Sequence, residues 1–418
     1  MTALETSDAA VEFLIRFVRV GHEAGYPTAD LEDRVLALAR SLGLTDVQVS
    51  ATPTLVEVSL GSLPQQRTFT VRVRPAGVDL DAIARADELV QDVLAGRLDP
   101  DAGLTVLADI KSRPLERPWP LLLAAYAIAG AALTPVLGGG SREIAASAVV
   151  GLLVGAIALP ATRTPRTEPM AAPLAAVTAS FFAATIVHLG LDASPNVVTL
   201  AALVTFLPGM RLTIGMRELS SEHLQSGVAN TANALVQLLG LVFGVEVGRS
   251  IAESWFGATE AVATVTAFTG TDLIAAVAAG LAFTLTLRAQ FRDAWMMCVA
   301  TVLALSANAA GGAVVGDQAG VFVATLAVGL GGGLIGSGLR RSPLVFIVPG
   351  VLMLVPGSAG FDSILQLLDN QTISGITAAF DTFVTATAIA YGLMVSAVVL
   401  PGRFQPAGPR QESVVRSG

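Results

Sequence analysis

The first 110 residues change period twice. Between residues 8 and 42, apolar positions recur at helical spacing (Phe13, Phe17, Val20; then Leu31, Val35, Leu38, Leu42). The pattern breaks at GHEAGYPTAD, where Gly25 and Pro27 stand, so two helices are predicted. VQVSA, LVEVSL and FTVRVR then alternate apolar with polar, separated by Thr-Pro and GSLPQQ, which predicts a small antiparallel sheet. LDAIARADELVQDVLAG and DAGLTVLADI return to helical spacing. An α+β unit of roughly 110 residues is long enough for a core of its own.

From Trp119 onward the pattern is different: long apolar runs separated by short polar ones. Spanning the hydrocarbon layer takes about 20 helical residues. Ten spans are predicted, at 119–138, 144–161, 170–190, 196–210, 229–248, 271–287, 294–312, 319–338, 344–357 and 376–400. The expected organisation is an α+β domain (1–118), two five-helix membrane repeats (119–250 and 251–402) and a short tail (403–418).

Composition agrees. The chain has 418 residues, 53% hydrophobic and 14% charged, with a mean hydropathy of +0.67; this is a membrane protein. Thirty of its 58 charged residues, 12 basic and 18 acidic, lie in residues 1–118. That acidic balance has the wrong sign for phosphate backbones, so no nucleic-acid partner is expected. A lone Cys298 excludes an intrachain disulfide, and MTALETSDAAVEF does not read as a cleavable signal peptide.

Loop charges set the orientation. With the N-terminal part inside, 14 of the 16 Lys and Arg from Lys111 onward face the cytoplasm, and only Arg142 and Arg249 fall outside. Both termini are expected in the cytoplasm and the protein in the plasma membrane.

The fourth predicted span runs into FLPGMRLTIGMREL, placing Pro208 and Gly209 just before Arg211, Arg217 and Glu218. FIVPG repeats the Pro-Gly pair at Pro349 and Gly350, 141 residues on. Each copy falls in the fourth span of a five-span block and is followed by a Ser-Gly pair, Ser226-Gly227 and Ser374-Gly375. Five is odd, so the blocks would cross the membrane in opposite directions, the inverted-repeat plan of many secondary transporters. Proline removes a helical donor, and freed carbonyls in hydrocarbon need protein or a wet cavity to satisfy them.

Aligning the Ser-Gly pairs, at an offset of 148, matches Asn233 with Asp381 and Gln237 with Thr385. Asn230, Asn233 and Gln237 share one helix face, as do Thr377, Asp381 and Thr385. An acid inside a span is costly, which makes Asp381 the candidate for pairing with a cation, contacting a substrate amine or coupling to a proton. Gly240, Gly244 and Gly248, and Gly312, Gly316 and Gly320, read as close-packing surfaces. His22 and Glu23, with Asp30, Glu32 and Asp33, match no metal or nucleophile spacing and are expected on a solvated surface.

These residues together resemble the threonine/serine exporters. The likeness runs through GHEAGYPTADLEDRVLALARSLGL, VSATPTLVEVSL, RVRPAGVDLDAIARADELV, LPGMRLTIGMREL, SGVANTANAL and IVPGVLMLVPG. It implies a cytoplasmic domain followed by two five-span modules, and proton-driven efflux of threonine and serine, or of a dicarboxylate in a two-subunit relative. Glu218 stands where the family has an acid, whereas Asn230 stands where an arginine is expected after Ser-Gly-x-Ala.

The expected protein is thus a polytopic α-helical exporter of small polar metabolites, with no cofactor or metal and no catalytic residues. Its partners would be a small-molecule substrate and the bilayer, with homo-oligomerisation left open. Pro208, Gly209, Asn230, Asn233, Gln237, Pro349, Gly350, Thr377 and Thr385 are the candidate substrate-binding residues, Asp381 the coupling residue, and Arg217 with Glu218 the gate. The rival readings are a membrane-tethered hydrolase centred on His22 and a sensor whose spans only anchor it.

Overall fold

The computed structural model describes residues 3–73, 77–113, 115–164, 166–257, 270–339, 341–354, 356–368 and 371–400. The predicted tail, 403–418, and Arg340 lie outside them.

The N-terminal elements follow the sequence periods. Helices α1 (Ala3–Glu23) and α2 (Thr28–Ser41) precede strands β1 (Gln48–Thr52), β2 (Leu55–Leu60) and β3 (Arg67–Arg72), then α3 (Leu80–Leu94) and α4 (Pro100–Ser112). The strands form an antiparallel meander in the order β1-β2-β3, with Val49 opposite Val58 and Val56 opposite Val71. Val56, Val58, Leu60 and Val71 turn inward onto Phe13, Leu14, Phe17, Leu31, Val35 and Leu38. Asp79 and Asp99 cap α3 and α4 by accepting from Ala82 N and Ala102 N.

Helices α2 and α3 are tied together inside this core. The Arg34 guanidinium donates to both Asp87 carboxylate oxygens (2.6 and 3.1 Å), and the Tyr26 hydroxyl donates to Oδ1 at 2.7 Å. Burial, reinforced by the Asp87 charge, holds the Tyr26 hydroxyl well above its ordinary pKa. Burial alone would lower the pKa of Arg34, but Asp87, Tyr26 and Asp30 together outweigh it and raise it.

The described residues beyond α4 are mainly helical: α5 (Trp119–Val136), α6 (Ser141–Ala161), α7 (Glu168–His188), α8 (Pro195–Leu203) with a 3-10 turn at Val204–Phe206, α9 (Gly209–Ser220) and α10 (Leu224–Phe256). There follow α11 (Gly270–Thr286), a 3-10 turn at Phe291–Asp293, α12 (Ala294–Val315), α13 (Asp317–Gly338), α14 (Leu344–Met353), α15 (Pro356–Leu368) and α16 (Thr372–Val399). Among the described residues, eight stretches are long and apolar enough to cross a membrane, or nine with the bent pair Pro195–Phe206 and Gly209–Ser220. Helix α11, where the sixth span is predicted, is apolar but shorter. Outward-facing side chains such as Phe243, Ile274, Trp295 and Phe380 are large and apolar, as contact with lipid requires.

Two helices were not anticipated. The polar stretch after Pro208 is the helix α9, and the segment after Leu354 is the helix α15. Small residues set the helix spacing in part as expected: a Cβ on Gly244 would lie 2.5 Å from Pro173 O, and one on Gly320 would lie 2.7 Å from Asn308 O. Gly316 differs, standing between α12 and α13 at φ +97° with open space around it.

Local geometry recurs along the chain. Gly227 and Gly375 begin α10 and α16 against Leu219 and Leu367, and a Cβ on either would lie 2.7 or 2.6 Å from that leucine's Cγ. Their preceding caps, His223 and Gln371, share a ψ of 61°, and their amides donate to Glu218 O and Gln366 O, at 2.9 Å each. These pairs all stand 148 residues apart. Earlier in each half the offset is 150: Thr134 and Thr284 donate to Gly130 O and Gly280 O, at 2.8 Å each.

That register moves the second Pro-Gly. Counted at 148, the counterpart of Pro208-Gly209 is Pro356-Gly357, not Pro349-Gly350. A Cβ on Gly357 would lie 3.0 Å from Gly209 N, so the two positions meet. Pro349 and Gly350 lie buried inside α14 instead.

Candidate functional site

The path from α8 to α9 is set by Pro208. Leu207 is extended (ψ 130°), as a residue before proline favours, and Pro208 caps α9. The two helical pieces meet at 59°. Such a break frees carbonyls, and the face of α10 that opposes it is polar. Gln237 Nε2 donates to Phe206 O at 2.7 Å, next to the break.

The same α10 face organises the charges of α9. Arg211 Nη1 donates to Asn233 Oδ1 and Gln237 Oε1, both at 3.0 Å. Asn230 Nδ2 donates to Glu218 Oε2 at 2.6 Å. The stripe predicted on α10 is therefore the set of partners for the broken helix, and Arg211 is its centre. The sequence showed Arg211 only as a loop cation, because its three-dimensional partners lie more than twenty positions away.

A cavity of about 350 Å³ opens at this break, within the usual size of small-molecule sites, about 300–1,000 Å³. Pro208, Gly209, Arg211, Glu218, Asn230 and Gln237 line it, with Tyr126 from α5, Phe283 and Thr286 from α11, and Val348, Leu352 and Gly357 from α14 and α15. A further wall comes from the N-terminal elements: His22, Gly25 to Thr28, Pro53 and Val78.

This last contact corrects the expectation of a solvated surface around His22 and Asp30. His22 is buried, its Nε2 2.9 Å from Pro53 O. Asp30 accepts from both terminal nitrogens of Arg217, at 3.0 and 3.1 Å. Glu32 lies 3.1 Å from His223 Nε2, and Thr28 meets both Ser226 Oγ (2.9 Å) and Glu218 Oε1 (3.3 Å, from its amide). The acids that open α2 thus have basic partners on α9 and the turn after it. Burial alone would raise the Asp30 pKa, but Arg217 and Arg34 outweigh it and hold the carboxyl below its usual range.

The N-terminal elements also grip the second half. Arg288 reaches Asp79 (3.2 Å), Arg292 and Arg341 both reach Glu88 (3.0 and 2.9 Å), and Gln290 donates to Asp81. One face therefore bridges both helical halves across the cavity.

The predicted residues are not all assembled. Asn233 stands behind Arg211, and Arg217 is held in the Asp30 pair. Pro349, Gly350, Thr377, Asp381 and Thr385 are absent from the cavity lining. Asp381 is exposed and accepts from Gln318 Nε2 at 3.2 Å, while Thr377 donates back to Ile373 O. Among the described residues, no cluster of three or more His, Cys, Asp or Glu could hold a metal.

Comparison with known proteins places this architecture. A family model of threonine/serine exporters matches residues 12–252, and a second, described as "Threonine/Serine exporter, ThrE", matches residues 271–399. The chain belongs to the threonine/serine exporter family. It is 23% identical to the "Threonine/serine exporter" of Corynebacterium glutamicum, over 92% of this chain and 82% of that protein. It is 27% identical to the "Probable threonine/serine exporter" of Mycobacterium tuberculosis, over 92% of this chain and 75% of that one. "Pheromone-regulated membrane protein 10" of Saccharomyces cerevisiae matches at 27% over 57% of this chain and 31% of its own. No solved structure matches. Asn230 is the residue whose side-chain amide bonds to Glu218.

Proposed function

We propose that the protein exports threonine, serine or closely related small amino acids by secondary active transport, coupled to protons and operating by alternating access. The observation that carries this reading is the cavity at the 59° break, where Arg211, Glu218, Asn230 and Gln237 converge from α9 and α10. An amino acid carries a carboxylate and an ammonium a short distance apart. Arg211 and the N-terminal end of α9 suit the first, and Glu218 suits the second.

In this reading residues 1–118 form a cytoplasmic domain, and 119–250 and 251–402 are two five-span repeats of opposite direction. The recurrence of local geometry at 148 to 150 residues supports the duplication, and five spans in each block, the number the sequence predicts, would run the two in opposite directions. The N-terminal domain covers the cytoplasmic mouth. Arg217 with Asp30 and Glu218 with Thr28 form the gate, and parting them opens the cavity inward. Rocking of one repeat against the other then exposes the solute outward. Asp381, near the outer end of α16, is a coupling carboxylate that meets outside protons.

Reconstituted protein loaded with unlabelled threonine or serine should accumulate labelled threonine by counterflow, and an acidic exterior should accelerate export. Absence of counterflow with either amino acid contradicts the reading.

A further inference from the structure

Asp362 is an acid in the middle of α15, inside the apolar stretch Leu344–Leu368. It is half-buried, and among the described residues it has neither a hydrogen bond nor an ion pair. The helices packed on α15 are α9, α10 and α16. Their ionisable groups are Arg211, Arg217 and Glu218 on α9, Glu246, Arg249 and Glu253 on α10, and Asp381 and Tyr391 on α16. Arg211, Arg217 and Arg249 are engaged by Asn233 and Gln237, by Asp30, and by Glu246. An unpaired carboxylate is costly in such surroundings, whereas the neutral acid is tolerated.

The repeat register gives this residue a place. At the offset of 148, Asp362 corresponds to Ile214, which lines the cavity. Arg211 corresponds to Ala359, Glu218 to Gln366, Asn230 to Ala378 and Gln237 to Thr385. When the two halves exchange roles, α15 and α16 supply the wall that α9 and α10 supply here. Asp362 is then the one acid among the counterparts of the α9 and α10 lining residues.

We infer that Asp362 is the carboxylate that takes up the driving proton when the cavity faces outward. This rests on the transport reading above. The proton passes from outer water, where Asp381 is exposed, to the Asp362 carboxylate. Neutralised, α15 closes against its neighbours, the arrangement seen here with Asp362 half-buried; only when the Arg217–Asp30 gate parts and water enters the cavity does the carboxyl give the proton to the cytoplasmic side. The net transfer is one proton inward for each carboxylate cycle, with no bond to the solute.

The test uses full-length protein in proteoliposomes with labelled threonine. Asp362→Asn should lose at least about tenfold of the acceleration by an acidic exterior, while threonine-for-threonine exchange continues, and Asp362→Glu should recover the pH response. Full pH acceleration in Asp362→Asn overturns the assignment. So does loss of exchange as well as drive in Asp362→Asn without recovery in Asp362→Glu, which marks a structural role. Failure of the transport reading looks different, because the unmutated protein then shows no exchange.

Discussion

The α8–α9 pair and the α14–α15 pair occupy corresponding places along the chain, and among the described residues the sharp bend, 59°, belongs to the first. At the bend, Gln237 reaches the Phe206 carbonyl, and Arg211 is held by two amides. The counterparts of Gln237 and Arg211 are Thr385, too short for the same reach, and Ala359. Both helices there belong to one apolar stretch of sequence, Leu344–Leu368. A Pro-Gly step therefore permits a break, and a polar partner across the interface is what sustains it.

The largest test of that contrast is the cation. Arg211→Ala leaves Asn233 and Gln237 without their shared donor and removes the positive charge from the cavity wall. Threonine exchange should fall by at least about 100-fold, equivalent to about 2.7 kcal/mol, whereas Ala359→Ser, at the corresponding position, should change it little. Equal losses in the two variants would erase the distinction between the halves.

Next is the carbonyl. Gln237→Leu should cost about 1–3 kcal/mol, by leaving a buried acceptor unsatisfied, seen as a lower Tm in detergent. Thr385→Val should cost less than about 0.5 kcal/mol.

A smaller effect is expected where the N-terminal elements meet α9. Asp30→Asn keeps the shape but weakens the Arg217 pair, and should speed amide exchange in α9 severalfold without unfolding the helical part. Because the Asp30 pKa is depressed in the folded protein, its contribution is present above the unfolded-state value of about 3.9 and disappears as pH falls through the folded value. Protection of α9 should thus be unchanged from pH 7 to pH 5 and decline only in stronger acid.

Much of this architecture could be read from residue patterns, because burial and lipid contact both write a period into the chain. The meander, the apolar runs and the α10 stripe all have that origin. Helices α9 and α15 escaped for the opposite reason: Arg211, Arg217 and Glu218 make α9 look like a loop, although their partners lie on α10 and α2. The second half offers two Pro-Gly pairs seven residues apart, and the likeness of FIVPG to FLPG favoured Pro349; the Ser-Gly offset of 148 and the approach of Gly357 to Gly209 select the other. Asp30 and Glu32 looked like ordinary helix-opening acids, since nothing local announces Arg217 and His223, 187 and 191 positions away.

The central claim, reciprocal exposure of two equivalent walls, is tested most directly by thiol accessibility. In a Cys298→Ser background, Met210→Cys and Ser358→Cys probe positions 148 apart in the repeat register. A membrane-impermeant thiol reagent should reach position 210 from the cytoplasmic side and position 358 from the outer side. Threonine with a pH gradient should move the two reactivities in opposite directions. Labelling of both from the same face, or reactivities that rise and fall together, would contradict the account.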